Sequence, residues 1–200
     1  MAILRLFGTV TSPYVRRVRI VLSELSLDYQ LVNTATDEGQ RQLRAVTPVW
    51  KVPVLAIDDE ILFDSHAITR RLLSLHPSRA LELPDAADFE SSNRLTAIDG
   101  ALDSLINAFY LAKDGVGAES SSYAQKQRDR AATCLRWLDA RDWSGATSGS
   151  GALGLPEVHL ATALDWIRFR DVAPLEPYPE LARVLQAHAA RPSLLETLPC

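Results

Sequence analysis

The chain has 200 residues, 47% hydrophobic and 23% charged, with a formal net charge of −4. That composition suits a packed globular protein. It provides no basic footprint for a nucleic acid and no apolar run near the ~20 residues of a membrane span. The start, Met1 to Phe7, lacks the parts of a secretion signal and reads as a strand. Two distant cysteines, Cys134 and Cys200, and four histidines at no ligand spacing argue against a disulfide framework and against a metal site. A reducing, cytoplasmic setting is expected, with no nucleic-acid or membrane partner.

In chain order, a first strand over 3–7 leads through a loop to a helix with Pro13 in its first turn, where a missing N–H costs nothing. Its apolar face includes Val15, Val18, Val21 and Leu22, interleaved with Arg16, Arg17 and Arg19. A strand over 29–32, a polar helix over 37–46, and strands over 52–57 and 61–63 joined by Asp58-Asp59-Glu60 follow. Asp64-Ser65 then caps a helix to about Leu75. This β-α-β-α-β-β-α order predicts a thioredoxin-like domain over 1–76, with a mixed four-stranded sheet and three helices.

Residues 77–88 contain Pro77 and Pro84 and read as a linker. Residues 89–200 read as an all-helical bundle. The expected helices are 89–113, about 123–141, about 157–170 and about 179–190, with a Ser/Gly-rich flexible loop over 144–154. The fold class is therefore α/β followed by all-α.

Three motifs sit at fold junctions. In Ser12-Pro13-Tyr14-Val15, a serine and a valine stand where thioredoxin-fold redox proteins carry two thiols. Neither can shuttle a disulfide, so any thiol chemistry must use a thiol that arrives with the substrate. Ser12 either simply caps the helix or donates a hydrogen bond to a bound thiolate, which the helix dipole also favours. Lowering a thiol pKa by two units takes roughly 2.7 kcal/mol, within reach of one charge-assisted bond plus a dipole. In Lys51-Val52-Pro53, a cis proline at the strand start would leave the Val52 backbone free to pair an extended ligand; the alternative is a trans edge proline. Asp64-Ser65 is either an ordinary cap or a site for an α-amino-acid end, its N–H groups and hydroxyl taking the carboxylate and Asp64 the ammonium.

Together, S-P-Y-V-R-R-V-R-I, T-P-x-x-K-V-P-V-L and F-D-S resemble the serine-type active segment, the N-P-x-x-K-V-P-x-L segment and the E/D-S pair of cytosolic glutathione transferases, in particular tau-like and bacterial members. The resemblance spans the chain and is strongest over 1–75. It implies a glutathione transferase with glutathione as co-substrate and no metal. In the implied roles, Ser12 activates the sulfur and Val52, ahead of Pro53, pairs the cysteinyl unit. Lys51 lies near the glycyl end, and Asp64 and Ser65 hold the γ-glutamyl end. It also implies a homodimer in which Asp99 reaches the partner subunit's glutathione; the alternative is a solvated helix carboxylate. A small hydrophobic electrophile would meet a pocket walled by Tyr14, Phe109 and Tyr110, although aromatics at helical spacing also serve as plain core.

Three departures stand out. Thr47 replaces the usual Asn, Trp50 occupies a place often held by Gly, and Pro156 and His159 stand where an S/T-x-x-D capping box is usual. Isomerase, dehalogenase or ether-cleaving chemistry is compatible with the same residues. The rival class is a non-catalytic binding or regulatory protein that keeps the fold.

Overall fold

The structure is a computed structural model. It describes residues 3–78, 80–83, 85, 87–147 and 152–200. The chain forms two compact units. One comprises Met1–Leu83 with Ala190–Cys200, the other Pro84–Ala189.

The first unit opens with β1 (Leu4–Gly8), α1 (Pro13–Glu24), β2 (Gln30–Asn33) and α2 (Asp37–Val46). β3 (Val54–Ile57), β4 (Glu60–Phe63) and α3 (Ser65–Leu75) follow. The sheet order is β2-β1-β3-β4, with β1 parallel to β2 and antiparallel to β3, and β3 antiparallel to β4. This is the expected thioredoxin-like arrangement. β1, β2 and β4 are displaced from the expected bounds by one residue. The larger difference is that β3 starts at Val54 rather than at position 52, because Pro53 has no N–H to give to a ladder. The Val52–Pro53 bond is cis, which decides between the two alternatives that the sequence left open.

On one side of the sheet, Phe7, Leu43, Val54 and Ala56 form a buried cluster. At the end of β1, Gly8 meets the first turn of α1 so closely that a Cβ there would lie 2.3 Å from a Val15 methyl. Glycine is what allows the strand to end against that helix.

Residues 190–200 belong to this unit rather than to the helical domain. The reason lies in the arginines of α1. Arg16 is buried and donates to Thr197 Oγ1 at 3.2 Å and to the Leu194 carbonyl at 3.0 Å. Arg19 donates to the Tyr29 hydroxyl at 3.1 Å and to the Thr197 carbonyl at 3.3 Å. From the other side, Arg191 grips the Glu24 carboxylate with two bonds of 3.0 and 2.8 Å, and Ser193 donates to the same group. A short helix, Pro192–Leu195, carries Ser193 and Leu194, with Arg191 as its N-cap and Thr197 just past its end.

The second unit is helical. It contains α4 (Phe89–Lys113), α5 (Ser122–Asp139), α6 (Ser144–Thr147), α7 (Leu155–Arg170) and α8 (Pro179–His188). α7 is its centre, buried on nearly every side through Val158, Leu160, Leu164 and Ile167. It begins two residues earlier than expected. Its N-cap, Gly154, makes no side-chain bond, and Pro156 takes the first turn instead of a capping box. His159 is fully buried, with Nδ1 3.7 Å from Asp99 Oδ1. The expected flexible loop over 144–154 begins as the single turn α6, and its residues 148–151 lie outside the described residues. The expected linker over 77–88 includes 79, 84 and 86, which also lie outside them. Among the described residues, no helix is long and apolar enough to cross a membrane.

Candidate functional site

The sheet register gathers the three motifs. Phe7 pairs with Val54, and Val54 pairs with Phe63. These residues form one row across β1, β3 and β4. The loop to Ser12 leaves just beyond Phe7, Pro53 sits just before Val54, and Asp64 follows directly on Phe63. All three junctions therefore emerge at the same end of the sheet.

Ser12 is the N-cap of α1. Its Oγ accepts from the Val15 N–H at 3.3 Å, a long bond that leaves the hydroxyl proton uncommitted to it. At the thiol positions stand this hydroxyl and the fully buried Val15. Of the two cysteines, Cys200 is exposed and Cys134 is half-buried. Burial pushes the Cys134 thiol up, against an opposing pull from the Arg130 charge. The Cys134 position does not activate its thiol. The protein is accordingly expected to show no glutathione-dependent reduction of bis(2-hydroxyethyl) disulfide above background. A double Cys134→Ser, Cys200→Ser variant should read the same in that assay, and a rate that disappears with either cysteine would overturn the expectation.

Asp64 is the N-cap of α3. Its Oδ1 accepts from the His66 N–H at 2.8 Å and the Ala67 N–H at 3.3 Å. Its backbone is left-handed, with φ of 81°, an uncommon state for a residue other than glycine and one that concentrates at binding sites. Ser65 is buried, and its Oγ accepts from Arg17 Nη1 at 3.4 Å. Arg17 is itself fully buried, its guanidinium 4.9 Å from the centre of the Tyr14 ring. The sequence reading placed Tyr14 but missed Arg17. The only signal was a cation on an otherwise apolar helical face.

Lys51 is exposed, and Val52 is half-buried beside Pro53. Trp50, just before them, has φ of 55° and is 60% exposed. A left-handed backbone costs an L-residue roughly 1–2 kcal/mol, which accounts for glycine as the usual occupant of this place. Here Arg44 lies over the indole at 4.8 Å. Such a stack contributes about 0.5–1 kcal/mol at an exposed position and offsets part of that cost. Thr47 does part of the work of the usual Asn, its Oγ1 accepting from the Val49 N–H at 3.3 Å.

The remaining expected residues lie on α4 of the helical unit. Asp99 is only 21% exposed and faces His159, so it is not a plain solvated carboxylate. Phe109 is half-buried and Tyr110 is 60% exposed; their rings meet edge to face at 5.4 Å.

Residues 6–80 match the family model of the glutathione S-transferase N-terminal domain. A glutathione S-transferase from Methylobacillus flagellatus KT, solved with glutathione bound, superimposes with a TM-score of 0.81 at 26% identity, over 98% of this chain and 100% of that one. The chain carries a glutathione S-transferase N-terminal domain and has the glutathione transferase fold over its length. A glutathione transferase family member from Pseudomonas fluorescens Pf-5, with bound glutathione, gives a TM-score of 0.85 at 25% identity, covering 98% of this chain and 99% of the other. The uncharacterized GST-like protein YibF of Escherichia coli K12 is 24% identical over 98% of both chains. Within this glutathione transferase fold, the three motifs occupy the thioredoxin-like unit, and the aromatic residues occupy the helical one.

Proposed function

We propose that this protein is a serine-type glutathione transferase that activates the glutathione thiolate for attack on a small electrophile. The observation that carries this reading is the single row Phe7–Val54–Phe63, which brings Ser12, Val52 and Asp64-Ser65 to one end of the sheet. A hydroxyl at one helix start suits a thiolate. The Ser65 hydroxyl and backbone N–H at another suit an α-carboxylate, and the Asp64 carboxylate suits the neighbouring ammonium. Lys51 offers a cation for the glycyl carboxylate. Conjugation would then draw much of its acceleration from holding the thiolate beside the electrophile.

The first test is calorimetric titration with glutathione, followed by turnover of 1-chloro-2,4-dinitrobenzene. Tight binding without turnover of any electrophile would favour the non-catalytic rival. Absence of glutathione binding would end the transferase reading.

Asp64→Asn separates cap from ligand. Asn caps a helix about as well as Asp and tolerates positive φ, but it carries no charge for the ammonium. Glutathione affinity is expected to fall about tenfold, the scale of one charge-assisted bond, with the melting temperature nearly unchanged. An unchanged dissociation constant would reduce Asp64 to a cap.

The assembly proposed is a homodimer acting in the cytoplasm, with Asp99 serving the partner subunit's site. Sedimentation equilibrium checks it: a mass near 22 kDa with full activity would exclude both the dimer and that role.

A further inference from the structure

The ends of α4 and α7 carry a cluster that glutathione chemistry leaves unused. Phe109 packs edge to face on the buried Trp166, with ring centres 5.9 Å apart. Two cations converge on Phe109: the Lys113 ammonium at 4.8 Å and the Arg170 guanidinium at 5.3 Å from the ring centre. Arg170 also lies 4.6 Å from the centre of the Phe169 ring. Among the described residues, neither cation has a carboxylate within 4.0 Å, whereas Arg168 on the same helix has Asp165 at that distance. The Arg170 Nε is buried without a hydrogen-bond acceptor. Tyr110, edge to face with Phe109, and Phe169, beside Arg170, present exposed rings, 60% and 39% exposed.

Lys113 and Arg170 are the last residues of their helices, where cations complement the helix dipole. That accounts for the sign of each charge. It does not account for two cations meeting on one ring, or for a donor buried without an acceptor.

We propose that this cluster binds an aromatic carboxylate, its ring against Tyr110 and Phe169 and its anion between Lys113 and Arg170. The inference rests on the transferase reading and narrows its electrophile from a small hydrophobic molecule to an aryl acid. For an aryl halide, the glutathione sulfur would form a bond to the ring carbon, chloride would leave with the electron pair of the broken C–Cl bond, and the thiol proton would pass to solvent.

The test uses 4-chloro-3-nitrobenzoate and its uncharged match, 4-chloro-3-nitrobenzamide. Each is titrated into the whole protein without glutathione and then assayed for conjugation with it. One charge pair to the exposed Lys113 and one to the half-buried Arg170 predict roughly tenfold tighter binding of the benzoate at low salt, with a lead that shrinks as salt rises. Lys113→Met and Arg170→Met should each cut that preference about threefold, and Lys113→Arg should retain it. Equal affinity for the two probes would overturn the proposal. So would a preference that both Met variants keep, including the case in which they only lower the melting temperature, as a dipole role requires. Benzoate-selective binding with no conjugation of either probe or of 1-chloro-2,4-dinitrobenzene would uphold the subsite while sinking the transferase reading; turnover of 1-chloro-2,4-dinitrobenzene alone would overturn the aryl-acid electrophile.

Discussion

Replacing Ser12 with alanine is expected to slow conjugation roughly 10- to 100-fold while shifting glutathione affinity little. A hydrogen bond to a charged group contributes about 1.5–3 kcal/mol, and this one is made most strongly to the ionised, reactive sulfur. The pH profile distinguishes that role from capping. Without the hydroxyl, the bound thiol should titrate closer to its free value of about 8.5. The loss should then be largest near neutral pH and shrink above pH 9, where the thiolate forms unaided. Because Ser12 also accepts from the Val15 N–H, the variant should lose about 1 kcal/mol of stability as well. A variant with that stability loss alone, and an unchanged profile, would show Ser12 to be a cap and nothing more.

The largest stability effect is expected at Arg191. Glu24 is 10% exposed and receives both bonds of the Arg191 fork together with the Ser193 hydroxyl. Arg191→Ala would strand that carboxylate. Removing one partner of a buried pair costs about 3–5 kcal/mol; partial exposure lowers the expectation to about 2–4. Hydrogen exchange of α1 amides reads it locally. The pH dependence follows in sign. Burial pushes the Glu24 carboxyl up, but the bonds from Arg191 and Ser193 and the Arg191 charge outweigh it, and its pKa is lowered. Its contribution is thus present above the unfolded pKa near 4.3 and lost as pH falls through the lower folded value. Without Arg191, burial would dominate and the sign would reverse: the variant's defect should be greatest near neutral pH and ease toward pH 4. A defect that does not vary with pH would mean that the pair is not the source of the stability.

The first unit was legible in the sequence because its signals are local. Pro13 opens α1, Asp64 caps α3, and apolar residues alternate or recur at helical spacing. Residues 37–46 and 89–113 were bounded correctly for the same reason. What stayed hidden depends on residues far apart in the chain. Nothing near Arg16 or Arg17 says that one grips Thr197 and the other Ser65. Nothing near Glu24 announces Arg191, and nothing in α4 alone shows that Lys113 shares Phe109 with Arg170. The earlier start of α7 was missed because Pro156 reads equally well as a loop residue. Trp50 was visible as an anomaly, but its left-handed backbone was not.

The placement of residues 190–200 in the first unit has a consequence for how the chain is made. Bonds such as Arg16 to Leu194 and Arg191 to Glu24 close loops of 178 and 167 residues. Contacts of that span form late, since a long stretch of chain must be ordered before they are gained. On the ribosome, all of 84–189 has been synthesised before the first unit has its last partners for Arg16, Arg19 and Glu24. The thioredoxin-like unit, although first in sequence, is therefore the last of the two to be complete.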